Sequence, residues 1–129
     1  MEKYRIHYHP MWEKTLSESQ KSTYEELVET VKPQDNELTV KVVYGTYKRN
    51  GGFVITVFLN NGFKHALTVE KARVSVSDGD GKIIASDNFE PNLYINARSF
   101  QPWSFVFSKE SILQNNAELD SLQVTIKIK

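Results

Sequence analysis

The 129-residue chain contains no cysteine, which excludes a disulfide framework, a thiolate nucleophile and a cysteine-ligated zinc site. Its basic and acidic residues both number 16, so no overall field favours nucleic acid or an anionic membrane. No apolar run approaches the roughly 20 residues that a membrane-spanning helix needs. The first residues also lack the apolar stretch of a secretory signal. We therefore expect a cytoplasmic protein without a membrane span, while export by another route stays open.

The most apolar stretch runs from Phe53 to Leu59 and predicts a central β-strand. Its apolar residues alternate onto one face, while Val54 and Phe58 cover much of the other face, as in a strand buried on both sides. Asparagine and glycine residues stand immediately before and after this stretch and mark turns. The other β segments are expected to pair with this strand or pack against it.

An N-terminal helix is predicted from about Ser17 to Val31. Ser17 and Gln20 have the spacing of a capping box, in which each side chain bonds the backbone N–H of the other. Pro33 is expected to end the helix, and residues 2–12 are predicted to form an extended arm before it. The apolar stripe on one side of this helix comprises Tyr24, Leu27, Val28 and Val31.

From residue 38 onward the apolar period changes to two, so residues 38–129 are predicted to form the β region and residues 1–33 the arm and helix of one domain. About seven short strands separated by turn signals predict a mainly β, immunoglobulin-like sandwich preceded by one N-terminal α-helix. In the first strand of this region, alternation places Tyr44 on the side of Leu38, Val40 and Val42. The predicted sandwich core comprises Phe53, Ile55, Val57, Trp103, Phe105, Phe107, Val124 and Ile126.

The residue chemistry argues against a metal site and against catalysis. His7 and His9 could share one face of a strand, but no third ligand is suggested near them. Asp78 to Gly81 resembles the start of a calcium loop without its later ligands, so a hairpin turn is the better interpretation. His65 is the only histidine of the β region, and no glycine-flanked serine accompanies it. We expect no cofactor, no metal and no enzymatic activity.

Two kinds of binding surface remain open. The aromatic face of the strand around Trp103 is best interpreted as core, but Trp103 or Tyr94 could instead be exposed and bind a carbohydrate or another small ligand. The helix is expected to dock on its own sandwich. Its alternative is to pair its stripe with another molecule, such as a second copy of the chain. In the docked arrangement the outward side of the helix is acidic and is available to a protein partner. It comprises Glu25, Glu26 and Glu29.

Several segments together resemble the SLAP domain of Gram-positive bacteria. The resemblance spans Trp12 to Ile128 and is carried by Val54–Gly62, Val74–Asp78 with Gly81, Ile84–Ala85, Phe89 and Arg98–Phe107, within which Pro102–Phe107 is the most specific part. The family occurs as single-domain proteins and as a duplicated domain in an S-layer assembly protein linked to the accessory Sec export system. It implies an accessory role with a protein partner from export or envelope assembly, and it supplies no catalytic residues.

Overall fold

The structure is a computed structural model that describes residues 5–6, 14, 16–29 and 35–128. The predicted histidine pair, His7 and His9, lies outside these residues, as does the predicted helix end at Val31. The strands and the helix are β1 (Arg5–Ile6), α1 (Glu18–Glu29), β2 (Leu38–Tyr47), β3 (Phe53–Asn61), β4 (Leu67–Val69), β5 (Ala72–Ser77), β6 (Ile83–Phe89), β7 (Leu93–Ile95), β8 (Ser99–Phe107) and β9 (Gln123–Ile128). A short 3₁₀ turn covers Lys109–Ser111.

One layer of the fold is a four-stranded sheet with the order β1-β8-β3-β2. The predicted central strand, β3, is antiparallel to both β2 and β8 along its whole length. The arm contributes β1, which pairs in parallel with the start of β8 at Ser99 and Phe100. This sheet and the strands opposite it form the predicted mainly β, immunoglobulin-like sandwich preceded by one helix.

The opposite layer is built on a long hairpin that bends in the middle. β5 pairs with β6 and β9, and β4 pairs with β7. Val69 pairs with Leu93 at the end of the β4–β7 pair, and Ala72 pairs with Phe89 at the start of the β5–β6 pair. The two strand pairs are therefore parts of one long hairpin that is interrupted between them. Asn92 takes a left-handed conformation at this interruption, with a φ of 48°. The bend lets both halves of the hairpin face the same core.

The core lies between the two layers. Phe53, Ile55 and Val57 on β3 are fully buried, as are Val74 and Val76 on the opposing β5. All eight residues of the predicted core belong to this cluster, where Trp103, Val124 and Ile126 are partly buried at its margin. The prediction of one sandwich core is therefore confirmed, and the period of two was sufficient to identify it.

The prediction for Tyr44 is wrong because β2 contains a bulge. The register between β2 and β3 shifts between Val42 and Tyr44. One extra residue in a strand reverses the side to which all later side chains point. Gly45 and Tyr47 consequently face the core, opposite Ile55 and Phe53, whereas Tyr44 points to the outer face of the sheet.

A buried asparagine closes one end of the sandwich. β3 extends through Asn61, whose fully buried amide nitrogen lies 3.0 Å from the His65 carbonyl, 3.1 Å from that of Ile95 and 3.0 Å from that of Asn96. Its Oδ1 accepts a 2.9 Å bond from the backbone N–H of Phe63. One side chain thus joins the loop after β3 to the loop after β7.

We expect Asn61→Ala to lower the free energy of unfolding by about 2 kcal/mol, because it leaves buried carbonyls and one N–H without a partner. Denaturant unfolding measures this cost. Asn60→Ala is the matched control: Asn60 is 2 % exposed, its Nδ2 donates a single 3.3 Å bond to the Thr39 hydroxyl, and within the described part of the chain its Oδ1 has no hydrogen-bond partner. A cost for Asn60→Ala equal to that for Asn61→Ala would contradict this role for Asn61.

Candidate interaction surface

Helix α1 packs on the outer face of the four-stranded sheet. Its start is the predicted capping box, since the Gln20 N–H donates to the Ser17 hydroxyl at 3.1 Å and the Ser17 N–H donates to Gln20 Oε1 at 2.9 Å. The Tyr24 ring lies edge-on to Phe58 of β3, with ring centroids 5.7 Å apart. Phe58 is fully buried in turn against Phe100, 6.4 Å away. The expectation that the helix docks on its own chain is met.

The electrostatics of Tyr24 reflect this docking. Burial raises the pKa of the Tyr24 phenol, and the nearby Tyr44 phenol adds to the increase. Because a phenol ordinarily ionises near pH 10, Tyr24 stays neutral at physiological pH. Since Tyr44 influences the pKa of Tyr24, the two side chains lie near each other.

The outer face carries a second part next to α1, with exposed side chains on β2 and β8, here called the open half. It consists of two adjacent cross-strand rows, Tyr44 with Thr56 and Ser104, and Thr46 with Val54 and Val106. Tyr44 is 54 % exposed and Val106 is 50 % exposed. Thr56 is buried within the first row, where its hydroxyl lies 2.8 Å from that of Ser104.

The structure places the predicted surface residues on different sides of the fold. Glu25 and Glu26 are exposed on α1, and Glu29 is its last residue, with a side chain outside the described part. Tyr94 lies on β7 in the opposite layer and is 64 % exposed. Trp103 points between the layers, facing the position of Val57, and packs against the core. These five residues do not form one continuous surface.

The aromatic strand face is core and not a stacking platform. Phe105 and Phe107 are buried, and both contact the ring of Phe89, at centroid distances of 5.1 and 5.0 Å. Trp103, on the same face, is only partly exposed. Among the described tyrosine, phenylalanine and tryptophan residues, the exposed ones are instead Tyr94 and Tyr44. Sequence reasoning missed Tyr44 because the bulge in β2 was not recognised; the nearby Gly45, disfavoured within a strand, was the available signal.

Residues Asp78 to Gly81 form the predicted hairpin turn between β5 and β6. Gly81 takes a left-handed conformation, with a φ of 84°. Asp78 Oδ1 accepts from the backbone N–H groups of Asp80 and Lys82, at 2.9 and 3.0 Å. Asp78 Oδ2 accepts a 3.1 Å bond from the Gln114 amide. Both carboxylate oxygens therefore have a structural function in the turn.

Two carboxylates link the β5–β6 hairpin to the segment after β8. Two hydrogen bonds lower the pKa of Asp78. The larger effect comes from the Gln114 side chain, and the next largest comes from the backbone N–H of Lys82. The Ser111 hydroxyl donates to Asp87 Oδ2 at 2.6 Å and lowers the pKa of Asp87. A depressed pKa in the folded state means that the ionised form stabilises the fold. This contribution is present above the ordinary pKa of 3.8 and is lost as the pH falls through the lower, folded-state value.

We accordingly expect Ser111→Ala to destabilise the protein more at neutral pH than under acidic conditions. Unfolding free energies of wild type and variant, measured over a pH series that extends below 3.8, should converge at the acidic end because Asp87 is then protonated in both. Ser22→Ala, a change to an exposed serine of α1, should leave the pH dependence of the wild type intact. A pH-independent difference between wild type and Ser111→Ala would contradict the role given to Asp87.

The remaining chemical groups do not converge on one place. His65 stacks on Phe63, with ring centroids 5.2 Å apart, and its Nδ1 lies 3.1 Å from the Ala66 carbonyl. Within residues 5–6, 14, 16–29 and 35–128, no three histidine or acidic side chains are grouped so that they could hold a metal ion. A cleft of about 490 Å³ lies beside the β2–β3 turn and is lined by Gly51, Lys109 and residues 112–116. None of its lining residues is acidic, histidine or a hydroxyl residue.

Among the described residues, α1 has 12 residues and none of the helical segments has the length and apolar character of a membrane span.

Comparison with known proteins identifies one family. A family model described as the SLAP domain matches residues 6–128 of this chain, which is nearly its whole length. A search of curated proteins found no match. A search of solved structures likewise found no match.

Proposed function

The chain belongs to the SLAP domain family, and from this membership we propose that it is a non-enzymatic interaction module in protein export or in S-layer and cell-envelope assembly. The resemblance drawn from the sequence links the family to the accessory Sec system of Gram-positive bacteria. In this proposal the chain binds a protein component of that machinery. One match over residues 6–128 corresponds to a single copy of the domain within this sequence.

The observation that carries the proposal is the open half of the outer sheet face. Tyr44 and Val106 expose large apolar surfaces there, and Val54 between them is half-buried. Exposed apolar side chains grouped together, rather than scattered singly, are typical of protein interaction sites. The acidic residues Glu25 and Glu26 lie on the neighbouring helix. Apolar surface rimmed by charge is the composition expected of a specific but reversible protein interface.

The non-enzymatic part of the proposal is supported by the sequence. His65 is the only histidine of the β region, and no activated serine or cysteine nucleophile can be assigned to it. Asp78 and Asp87 use their carboxylates to hold backbone and side-chain groups of the fold. Their lowered pKa values also oppose a role as proton donors at neutral pH.

Deletion of the chain from its source cell, followed by quantification of exported envelope proteins, tests the proposal. We expect the exported proteins to accumulate inside the cell and to recover when the wild-type chain is supplied. Val106→Glu should fail to restore export, because it places a carboxylate on the apolar open half. Thr125→Glu is the matched control, since Thr125 is an exposed strand residue of the opposite layer. Unchanged export in the deletion strain would refute the proposed function.

Carbohydrate or small-ligand binding is the second candidate, and the exposure of Tyr94 favours it. A tyrosine ring that is exposed on a strand offers a flat face to a sugar, with Thr68 directly across the strand pair. Co-sedimentation of the purified chain with cell-wall polysaccharide distinguishes the candidates. Binding that is lost in Tyr94→Ala and kept in Val106→Glu would favour the carbohydrate site over the open half.

A further inference from the structure

The size of the open half defines what it can accept. Its two rows cross three neighbouring strands, β2, β3 and β8. Strands lie about 4.8 Å apart and alternate residues about 6.8 Å apart along a strand, so three strands and two rows each cover roughly 14 Å. An α-helix with its side chains is about 10 Å wide. One further helix therefore fits on the face beside α1, extending the packing that Tyr24 already makes on Phe58.

The charges around the open half differ at its two borders. Helix α1, on one side, contains four glutamates and one lysine between Glu18 and Glu29. Beyond the opposite border, the exposed Lys48 and Lys109 follow the ends of β2 and β8. A ligand with a basic flank towards α1 and an acidic flank towards these lysines would be complementary to both borders.

A second copy of the chain does not match this surface. A two-fold dimer that seats α1 of each copy on the open half of the other would bring the exposed side of α1 against the apolar residues there. Glu25 and Glu26 would then be buried against Tyr44 and Val106. Burying carboxylates without partners is unfavourable, and the two acidic helices would also repel each other. An extended peptide fits no better, since it would bind through the backbone groups of a sheet edge and not through a sheet face.

We propose that the open half binds an amphipathic α-helix of a partner protein. The apolar stripe of that helix covers Tyr44, Val54 and Val106, and its Lys or Arg flank lies beside Glu25 and Glu26 of α1. This inference rests on the proposed function and specifies the partner's binding element. The hydroxyl groups of Thr46 and Ser104, on the same two rows, supply polar contacts around the apolar centre.

The probe is a synthetic helical peptide of about 14 residues, which is roughly 21 Å long. It carries leucines on one face, lysines on one flank and glutamates on the other. The matched control peptide has the same composition with leucines at a period of two. Titration into isotopically labelled protein should move the amide resonances of Tyr44, Val54 and Val106 saturably with the helical peptide. The control peptide should bind at least about tenfold more weakly, since it presents no apolar stripe as a helix.

Protein variants test the site separately from the peptide. Val106→Glu should weaken binding by about tenfold or more, because a carboxylate would be buried without a partner. Thr125→Glu should bind as the wild type does. Exchanging both Glu25 and Glu26 for lysine should weaken binding and reduce its dependence on salt. Tyr44→Ser supplies a second change within the site, and the dispersion of the amide spectrum verifies that each variant is folded.

Several outcomes would overturn the helix inference. These are equal affinity for the two peptides, unchanged binding by folded Val106→Glu and Tyr44→Ser, no saturable shift at the open half, or a concentration-dependent dimer that Val106→Glu abolishes. None of these outcomes would refute the proposed function by itself, because the export assay in the deletion strain measures that function without reference to the partner's structure. Conversely, if the peptide binds as expected but export is unchanged in the deletion strain, the proposed function is refuted and the helix-binding site is supported.

Discussion

Phe105→Ala is expected to lower the free energy of unfolding by about 3–5 kcal/mol, the range for truncating a buried aromatic ring to alanine. Phe105 is 2 % exposed, and it faces the position of Ile55 across the strand pair. Its ring also contacts Phe89 of the opposite layer at a centroid distance of 5.1 Å. Removing the ring therefore empties space that both layers line, and rigid paired strands allow little collapse into it.

Reversible denaturant unfolding of wild type and Phe105→Ala measures this cost. Val106→Ala is the matched control, because Val106 is the next residue of β8 and points to the outer face with 50 % exposure. Its truncation should cost less than about 1 kcal/mol, since little apolar surface is removed from burial. A cost under about 1 kcal/mol for Phe105→Ala would contradict the position of its ring in the core.

The sandwich could be predicted from the sequence because the patterns that specify it, such as the alternation of apolar residues, are local and periodic. The alternation of apolar residues in β3 and β8 determines which side chains face inward, and the structure has them there. The capping box of α1 is equally local, requiring only Ser17 and Gln20 at the correct spacing. The pairing of β1 with β8 could not be predicted, since two residues carry no detectable period.

The candidate surface was harder to predict because exposure depends on what lies above each residue. Val54 and Phe58 share the outer face of β3, yet only Phe58 is covered by Tyr24. Nothing in the alternation of the strand distinguishes these two residues. The acidic residues Glu25 and Glu26 were placed outward correctly, since they lie opposite the apolar stripe of the helix. Trp103 and Tyr94 were grouped because both are aromatic. In the fold, Trp103 packs against the core, whereas Tyr94 is exposed on β7.

The bulge in β2 has a structural reason that involves a glycine. After the bulge, Gly45 points to the core, where a β-carbon would lie 2.7 Å from Leu122 Cδ1, 2.8 Å from Phe53 Cζ and 3.0 Å from Ile55 Cδ1. The chain from Gln114 to Leu122 crosses this end of the sandwich and is held by Tyr47, whose hydroxyl donates to the Gln114 carbonyl at 2.6 Å. A residue without a side chain is therefore needed where β2 and this crossing segment meet.

Gly45→Val is expected to lower the free energy of unfolding by about 3 kcal/mol, at the upper end of the usual cost of overpacking a core. The added side chain must displace Leu122 and the Phe53 ring, and Phe53 is fully buried. The higher strand propensity of valine offsets only about 1 kcal/mol of this cost. Denaturant unfolding of the purified variant measures the difference from wild type.

A double variant identifies the cause of the Gly45→Val destabilisation. Leu122→Ala alone should be destabilising, because it removes a partly buried side chain from the core margin. Combined with Gly45→Val, it vacates the space nearest the new side chain, so the double variant should be more stable than the sum of the two single effects predicts. Thr46→Val is the control for the valine itself, since Thr46 is the exposed neighbour on the outer face. Strict additivity of Gly45→Val and Leu122→Ala would contradict a steric conflict at this crossing.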